Sequence, residues 1–327
     1  MKSTTPAPPL FPALVLAAFS TGLLISYSAW GRVAQAALPV PSRGILAPSP
    51  EPILDLATTP TEIANVQDVA ALREQVNPSR GIALSVPYGD LGPQLLAAGV
   101  IDFDALAALY DRAGAPLTDL QVEVLQRGNT GEVVIGPDNA YFLLNFFWAV
   151  GLANGNPILT EGPMVERSAG QIERFASTGG WSLATRPVPE IYASLHLIRL
   201  TAAQQQRLED VASAVYRPCC GNPTSFPDCN HGMAMLGILE LMASQDASAD
   251  EMFEAAKYVN AFWFPQAALE TAIYLDALQQ VDFADADARL VTGATMASGS
   301  GAAGIHEALQ VSGLLPAEAA GGGNCAN

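Results

Sequence analysis

The sequence predicts a mainly α-helical protein: an N-terminal membrane segment, a Pro-rich linker, and a multi-helix globular domain with long irregular loops. Three observations predict this. Residues 3–31 contain no charged side chain. From Thr61 onward, capping residues, apolar spacing of three and four, and terminating glycines recur together, which is the pattern of successive short helices. Pro- and Gly-rich stretches interrupt that pattern at 154–190 and 217–231.

The segment Leu10–Trp30 reads LFPALVLAAFSTGLLISYSAW, about the length that spans a bilayer core. Lys2 precedes it, and Ala34-Gln35-Ala36 behind it resembles a signal-peptidase site. Two readings stay open: an uncleaved single-pass anchor in the cell membrane, or a secretory signal removed near Ala36. Both put residues 37–327 outside the cytoplasm, although Arg32 and Arg43 weaken the orientation argument. Residues 37–60 are rich in Pro and Ser and read as a semi-extended linker.

The domain then spans 61–316, with 61–153 and 190–316 as possible subdomains. Thr61 can cap a helix through Val76. Asp90 opens a short helix that Gly99 ends, and Asp102 caps one that stops at Gly114. Leu117–Gln126 ends at Gly128, and Thr130–Ile135 reads as a short strand. Residues 139–153 (NAYFLLNFFWAVGLA) are nearly all apolar. They are too short for a second span, so a buried core helix is expected. After the irregular connection at 154–190 comes an amphipathic helix, Thr201–Tyr216. Further helices follow at Gly232–Ser244, from Ser248 (a capping box with Glu251) to Phe262, from Pro265 to Gln280, and from Asp282 to Thr295. Residues 317–327 form a Gly-rich tail.

Composition narrows the function. Of 327 residues, 14% are charged, against about 25% in a typical domain. The formal net charge is −17. Loss of residues 1–36 would leave 13 basic against 32 acidic side chains, or −19. Such a chain lacks the Lys and Arg that neutralise phosphate, which excludes general nucleic-acid binding. The expected partners are the membrane, through the N-terminal segment, and a metal ion.

The metal expectation rests on one segment, Tyr216-Arg217-Pro218-Cys219-Cys220-Gly221-Asn222-Pro223-Thr224-Ser225-Phe226-Pro227-Asp228-Cys229-Asn230-His231. Three of four cysteines and one of three histidines fall there. Thiolates with an imidazole suit tetrahedral Zn²⁺, and soft sulfur also selects Cu(I). The candidate ligands are Cys219, Cys220, Cys229 and His231, with Met233 as added soft sulfur and Cys325 in the tail as a possible participant. Met235, Ile238, Leu239 and Met242 form a stripe better suited to a core face. The nearby acids Asp228 and Glu240 read as a solvated loop acid and a helix-surface acid. Alternatives remain open: disulfides pairing Cys219 or Cys220 with Cys229 and Cys325 in a stapled cell-envelope module, or a thiol oxidoreductase using Cys219 or Cys220. The pattern Pro218-Cys219-Cys220-Gly221…Asp228-Cys229 resembles a cysteine-rich block of some bacterial envelope lipoproteins. That resemblance implies no activity, and no cysteine precedes Cys219 to carry their lipid.

Other motifs lack the context their chemistry needs. Gly299-Ser300-Gly301-Ala302-Ala303-Gly304 matches a dinucleotide fingerprint, but helical sequence precedes it; a turn before a helix at Ile305 is expected instead. No catalytic constellation emerges, and ion binding fits better than an enzyme, because a thiolate-rich set leaves little room for an open hydrolytic position.

Overall fold

The computed structural model describes residues 69–315. The apolar N-terminal run, the Ala34-Gln35-Ala36 site, the linker and the tail with Cys325 lie outside them. Helix makes up 60% of the described region, which places it in the mainly helical class. No helix among the described residues is long and apolar enough to cross a membrane.

Local chemistry explains most element boundaries. Helix α1 covers Val69–Val76. Strand β1, Ile82–Gly89, pairs antiparallel with β2, Asn129–Ile135, through Ile82↔Ile135 and Ala83↔Val134. The sequence reading found β2 and missed β1. Its alternation is broken: Ser85 sits at φ +57° and the register shifts on both sides of Pro87. Between the strands run α2 (Leu91–Ala97), α3 (Phe103–Arg112) and α4 (Asp119–Gln126). Asp102 caps α3 by accepting from Ala105 N–H, and Thr118 and Gln121 form a reciprocal box on α4.

The centre of the molecule is the pair α5 (Ala140–Ala153) and α7 (Asn230–Ser244). Residues 140–153 form a buried core helix, with Phe142, Phe146, Phe147 and Leu152 inside. The two helices meet on glycine. A Cβ on Gly151 would lie 2.1 Å from the Met233 carbonyl oxygen, and one on Gly237 would lie 2.6 Å from that of Phe147. The backbones therefore touch where side chains would hold them apart. Met235, Ile238, Leu239 and Met242 are buried, as their spacing predicts. Residues between α5 and α6 (Ala202–Ala214) form only single turns, in line with the irregular connection expected.

Helices α8 (Ala249–Trp263) and α9 (Pro265–Tyr274) follow, the second ending in a wide turn at 275–279. The helix expected from Asp282 begins later, as α10 (Ala288–Thr292) capped by Asp287. Residues 283–286 are instead loop, because the buried Lys257 ammonium collects their carbonyls: Phe283 at 3.3 Å, Ala284 at 3.2 Å and Ala286 at 3.4 Å. A last short turn, α11 (Ala294–Ala297), leads into α12 (Gly299–Val311). Helix α12 thus starts six residues before the expected Ile305. The glycine motif lies inside it, where Gly301 passes close to the Thr295 carbonyl (2.4 Å from a built Cβ).

Candidate metal centre

The Cys-His segment bridges α6 and α7. Its course is set from both ends and from the middle. Thr224 bonds twice to the Val215 carbonyl, through N–H at 2.8 Å and Oγ1 at 3.0 Å. Ser225 N–H donates to Ala212, and Ser177 N–H donates to the Asp228 carbonyl. Gly299 N–H, at the start of α12, donates to the Cys220 carbonyl at 2.7 Å. A Cβ on Gly299 would sit 3.3 Å from that oxygen.

The hub of the loop is Arg217, the largest fully buried side chain in the described molecule. Its guanidinium donates to the Asn222 carbonyl at 2.9 Å, the Phe226 carbonyl at 3.2 Å, Asp228 Oδ1 at 2.6 Å and Cys229 Sγ at 3.0 Å. Asn222 Nδ2 secures the other Asp228 oxygen at 2.8 Å. Asp228 is therefore the counterion of Arg217, not the solvated loop acid expected. Gly232 leaves the room this needs: a Cβ there would lie 2.5 Å from Arg217 Cζ. The sequence reading passed over Arg217. The available signal was a basic side chain two positions before a cysteine pair in a charge-poor chain.

Cys229 is the N-cap of α7, and its sulfur accepts from Gly232 N–H at 3.4 Å. Cys219 Sγ lies 3.6 Å from Cys229 Sγ. His231 occupies the first turn of α7, its ring held against Phe264 (centroids 4.5 Å apart) and Trp263 (5.7 Å). Ligand atoms of Cys219, Cys229 and His231 all lie within 4.8 Å of one another, and so do those of Cys220, Asp228 and Cys229. The three described cysteines are free; Cys219 is exposed, Cys220 and Cys229 partly so.

The structure thus forms a Cys/His cluster able to hold a metal ion. Of the residues proposed from sequence, Cys219, Cys229 and His231 converge, and Cys220 groups with Cys229 and Asp228. Met233 is fully buried, with its backbone against Gly151, and belongs to neither group. Cys325 lies outside the described residues.

Electrostatics divide the thiols. Contacts with the Cys220 and Cys229 sulfurs, together with burial, hold the Cys219 proton far above the usual thiol range. The hydrogen bonds that Cys229 receives from Cys219 and Cys220, with those of His231 and the charge of Arg217, push Cys229 well below it. The proton is thus favoured on Cys219 and the negative charge on Cys229.

No family model, curated protein or solved structure matches this chain. Its function must be argued from the site.

A buried acid lies further along α7. Glu240, expected on the helix surface, is fully buried, with the side-chain amides of Asn154 and Asn156 beside its carboxylate and no ion-pair partner among the described residues. Burial raises its pKa from an ordinary 4.5 to about 8, with the amides of Asn154 and Asn156 offsetting part of the effect. The error has a plain cause. In a helix apolar on all faces, period does not reveal which side is outside.

Proposed function

We propose that the chain is a membrane-anchored, extracytoplasmic protein that binds one soft metal ion, Zn²⁺ or Cu(I), for storage or delivery. Cys219, Cys229 and His231 are its ligands, and Cys220 is the nearest candidate for a fourth. The observation that carries this reading is the sulfur spacing. Two thiolates on a tetrahedral ion with Zn–S bonds of about 2.3 Å lie roughly 3.8 Å apart, and Cys219 and Cys229 stand at 3.6 Å beside an imidazole. Removal of residues 1–36 would make the protein secreted and leave the site unchanged.

Cargo is favoured over a structural staple. The loop is fixed by Arg217, Thr224, Ser225 and Gly299 through bonds that need no ion. In small zinc modules, by contrast, the metal supplies the folding energy. One ligand, Cys219, is exposed, which gives an incoming donor access to the ion. The acidic surface implied by the net charge of −17 also raises the local concentration of cations.

Elemental analysis of the full-length chain, purified reduced in detergent, tests the reading. About one zinc or copper ion per chain is expected. Circular dichroism after removal of the ion with a chelator should retain the helical signal. Absence of metal with Cys219, Cys220 and Cys229 reduced would refute binding. Unfolding on chelation would refute the cargo role.

A further inference from the structure

The same pair of sulfurs supports a second chemistry. The separation of 3.6 Å between Cys219 and Cys229 is about 1.6 Å beyond a disulfide bond of about 2.05 Å. Cys219 lies in a loop turn and Cys229 caps α7, so the gap can close by movement of Cys219 while α7 stays in place. The alternatives are worse placed. A Cys219–Cys220 bond joins neighbours, whose backbone resists the required Cβ–S–S–Cβ dihedral. Cys220 is itself pinned, because its carbonyl accepts from Gly299 and its N–H donates to Arg217. Cys229 is fixed at the start of α7 by Arg217 and Gly232. That leaves Cys219, exposed on the loop, as the sulfur that moves and the one a soluble reagent reaches.

We infer that Cys219 and Cys229 form a reversible disulfide by exchange with a soluble disulfide, and that this bond empties the metal site. The release half of the inference rests on the metal reading above; the closure half does not. Cys229 takes the Cys219 proton across the 3.6 Å between the two sulfurs, and the Cys219 sulfur attacks one sulfur of the disulfide R–S–S–R. A Cys219–S–S–R bond forms and one R–S⁻ departs. Cys229 Sγ then attacks the Cys219 sulfur, the mixed disulfide breaks, and the second R–S⁻ departs. Cys229 passes its proton to a departing R–S⁻, solvent supplies the second proton, the two cysteines give up two electrons, and R–S–S–R becomes two R–SH. The product keeps His231 and Cys220 as donors but has lost two thiolates, too few for a closed soft-metal site. Conversely, a bound ion occupies both sulfurs and holds them at ligand spacing, so the loaded protein reacts slowly.

The test uses the full-length chain, reduced and metal-free, incubated anaerobically with oxidised glutathione, followed by alkylation and peptide mapping. A Cys219–Cys229 crosslink, reversed by dithiothreitol, is expected. A Cys229→Ser chain should stop at a glutathione adduct on Cys219. A sample loaded with one zinc should close at least about tenfold more slowly and release zinc as it closes. Persistent glutathione adducts on the wild-type chain, or a crosslink from Cys220 in place of Cys219, would overturn closure. Equal rates with and without bound zinc would overturn the link to the metal. If the chain binds no zinc but closes this bond, the metal reading and the release half fall while closure stands. If it binds zinc and does not close, the inference alone fails.

Discussion

At the scale of the residue, Arg217 and Glu240 show opposite ways of keeping a charge inside. Arg217 is buried among two carbonyls, a carboxylate and a cysteine sulfur, so each nitrogen of its planar fork has an acceptor. A lysine keeps the charge but not the fork. Arg217→Lys should therefore fold less stably and bind the ion about 10- to 100-fold more weakly, the range seen when partners of metal ligands are changed. Competition against a chromophoric chelator measures this, and unchanged affinity would show that the guanidinium does not position Cys229. Glu240 has no charged partner among the described residues and avoids charge by keeping its proton up to about pH 8. The folded state then binds a proton that the unfolded chain releases near 4.5. Its contribution to stability is complete below pH 4.5 and is lost as pH rises toward 8. Glu240→Gln removes this loss, so the variant should gain a few kcal/mol over wild type between pH 4.5 and 8. Urea denaturation at several pH values reads the difference; a gap that does not widen with pH would contradict the buried, neutral acid.

At the scale of the element, the molecule depends on α5 and α7 meeting at Gly151 and Gly237. That contact sets the axis of α7, and α7 carries Cys229 and His231 at its first turn. Gly237→Ala would place a methyl against the Phe147 carbonyl and the Gly151 backbone. Overpacking of this kind costs about 1–3 kcal/mol, and here the obstructing atoms are main chain. The expected result is a lower denaturation midpoint together with weaker metal binding, since the helix can relieve the clash only by shifting. Weaker stability with unaltered binding would mean that the loop, not the helix, positions the ligands. Most elements were legible in the sequence because their ends carry explicit chemistry, such as Asp102, the Thr118–Gln121 and Ser248–Glu251 boxes, and Gly99, Gly114 and Gly128 at positive φ. The failures have the opposite character. Strand β1 is irregular around Ser85 and Pro87, and the loop at 283–286 is decided by a lysine twenty-six or more positions earlier. Neither is a local property.

At the scale of the whole molecule, the sequence located the Cys/His loop but not its mode of assembly. Counting cysteines and a histidine in one Pro-rich stretch was enough to name Cys219, Cys220, Cys229 and His231. The spacing could not show that Cys229 would cap a helix, that Arg217 would lie beneath it, or that Met233 would turn into the core. Those outcomes depend on how α5, α6, α7 and α12 pack around the loop. The result is a preformed, partly exposed cluster on a helical body whose core does not use it. X-ray absorption at the metal edge of the purified full-length protein tests this account most directly. It predicts a sphere dominated by sulfur, with at least two ligands near 2.3 Å and one imidazole nitrogen near 2.0 Å, and loss of sulfur from that sphere in Cys229→Ser. A sphere of oxygen and nitrogen alone, or one unchanged by that substitution, would contradict it.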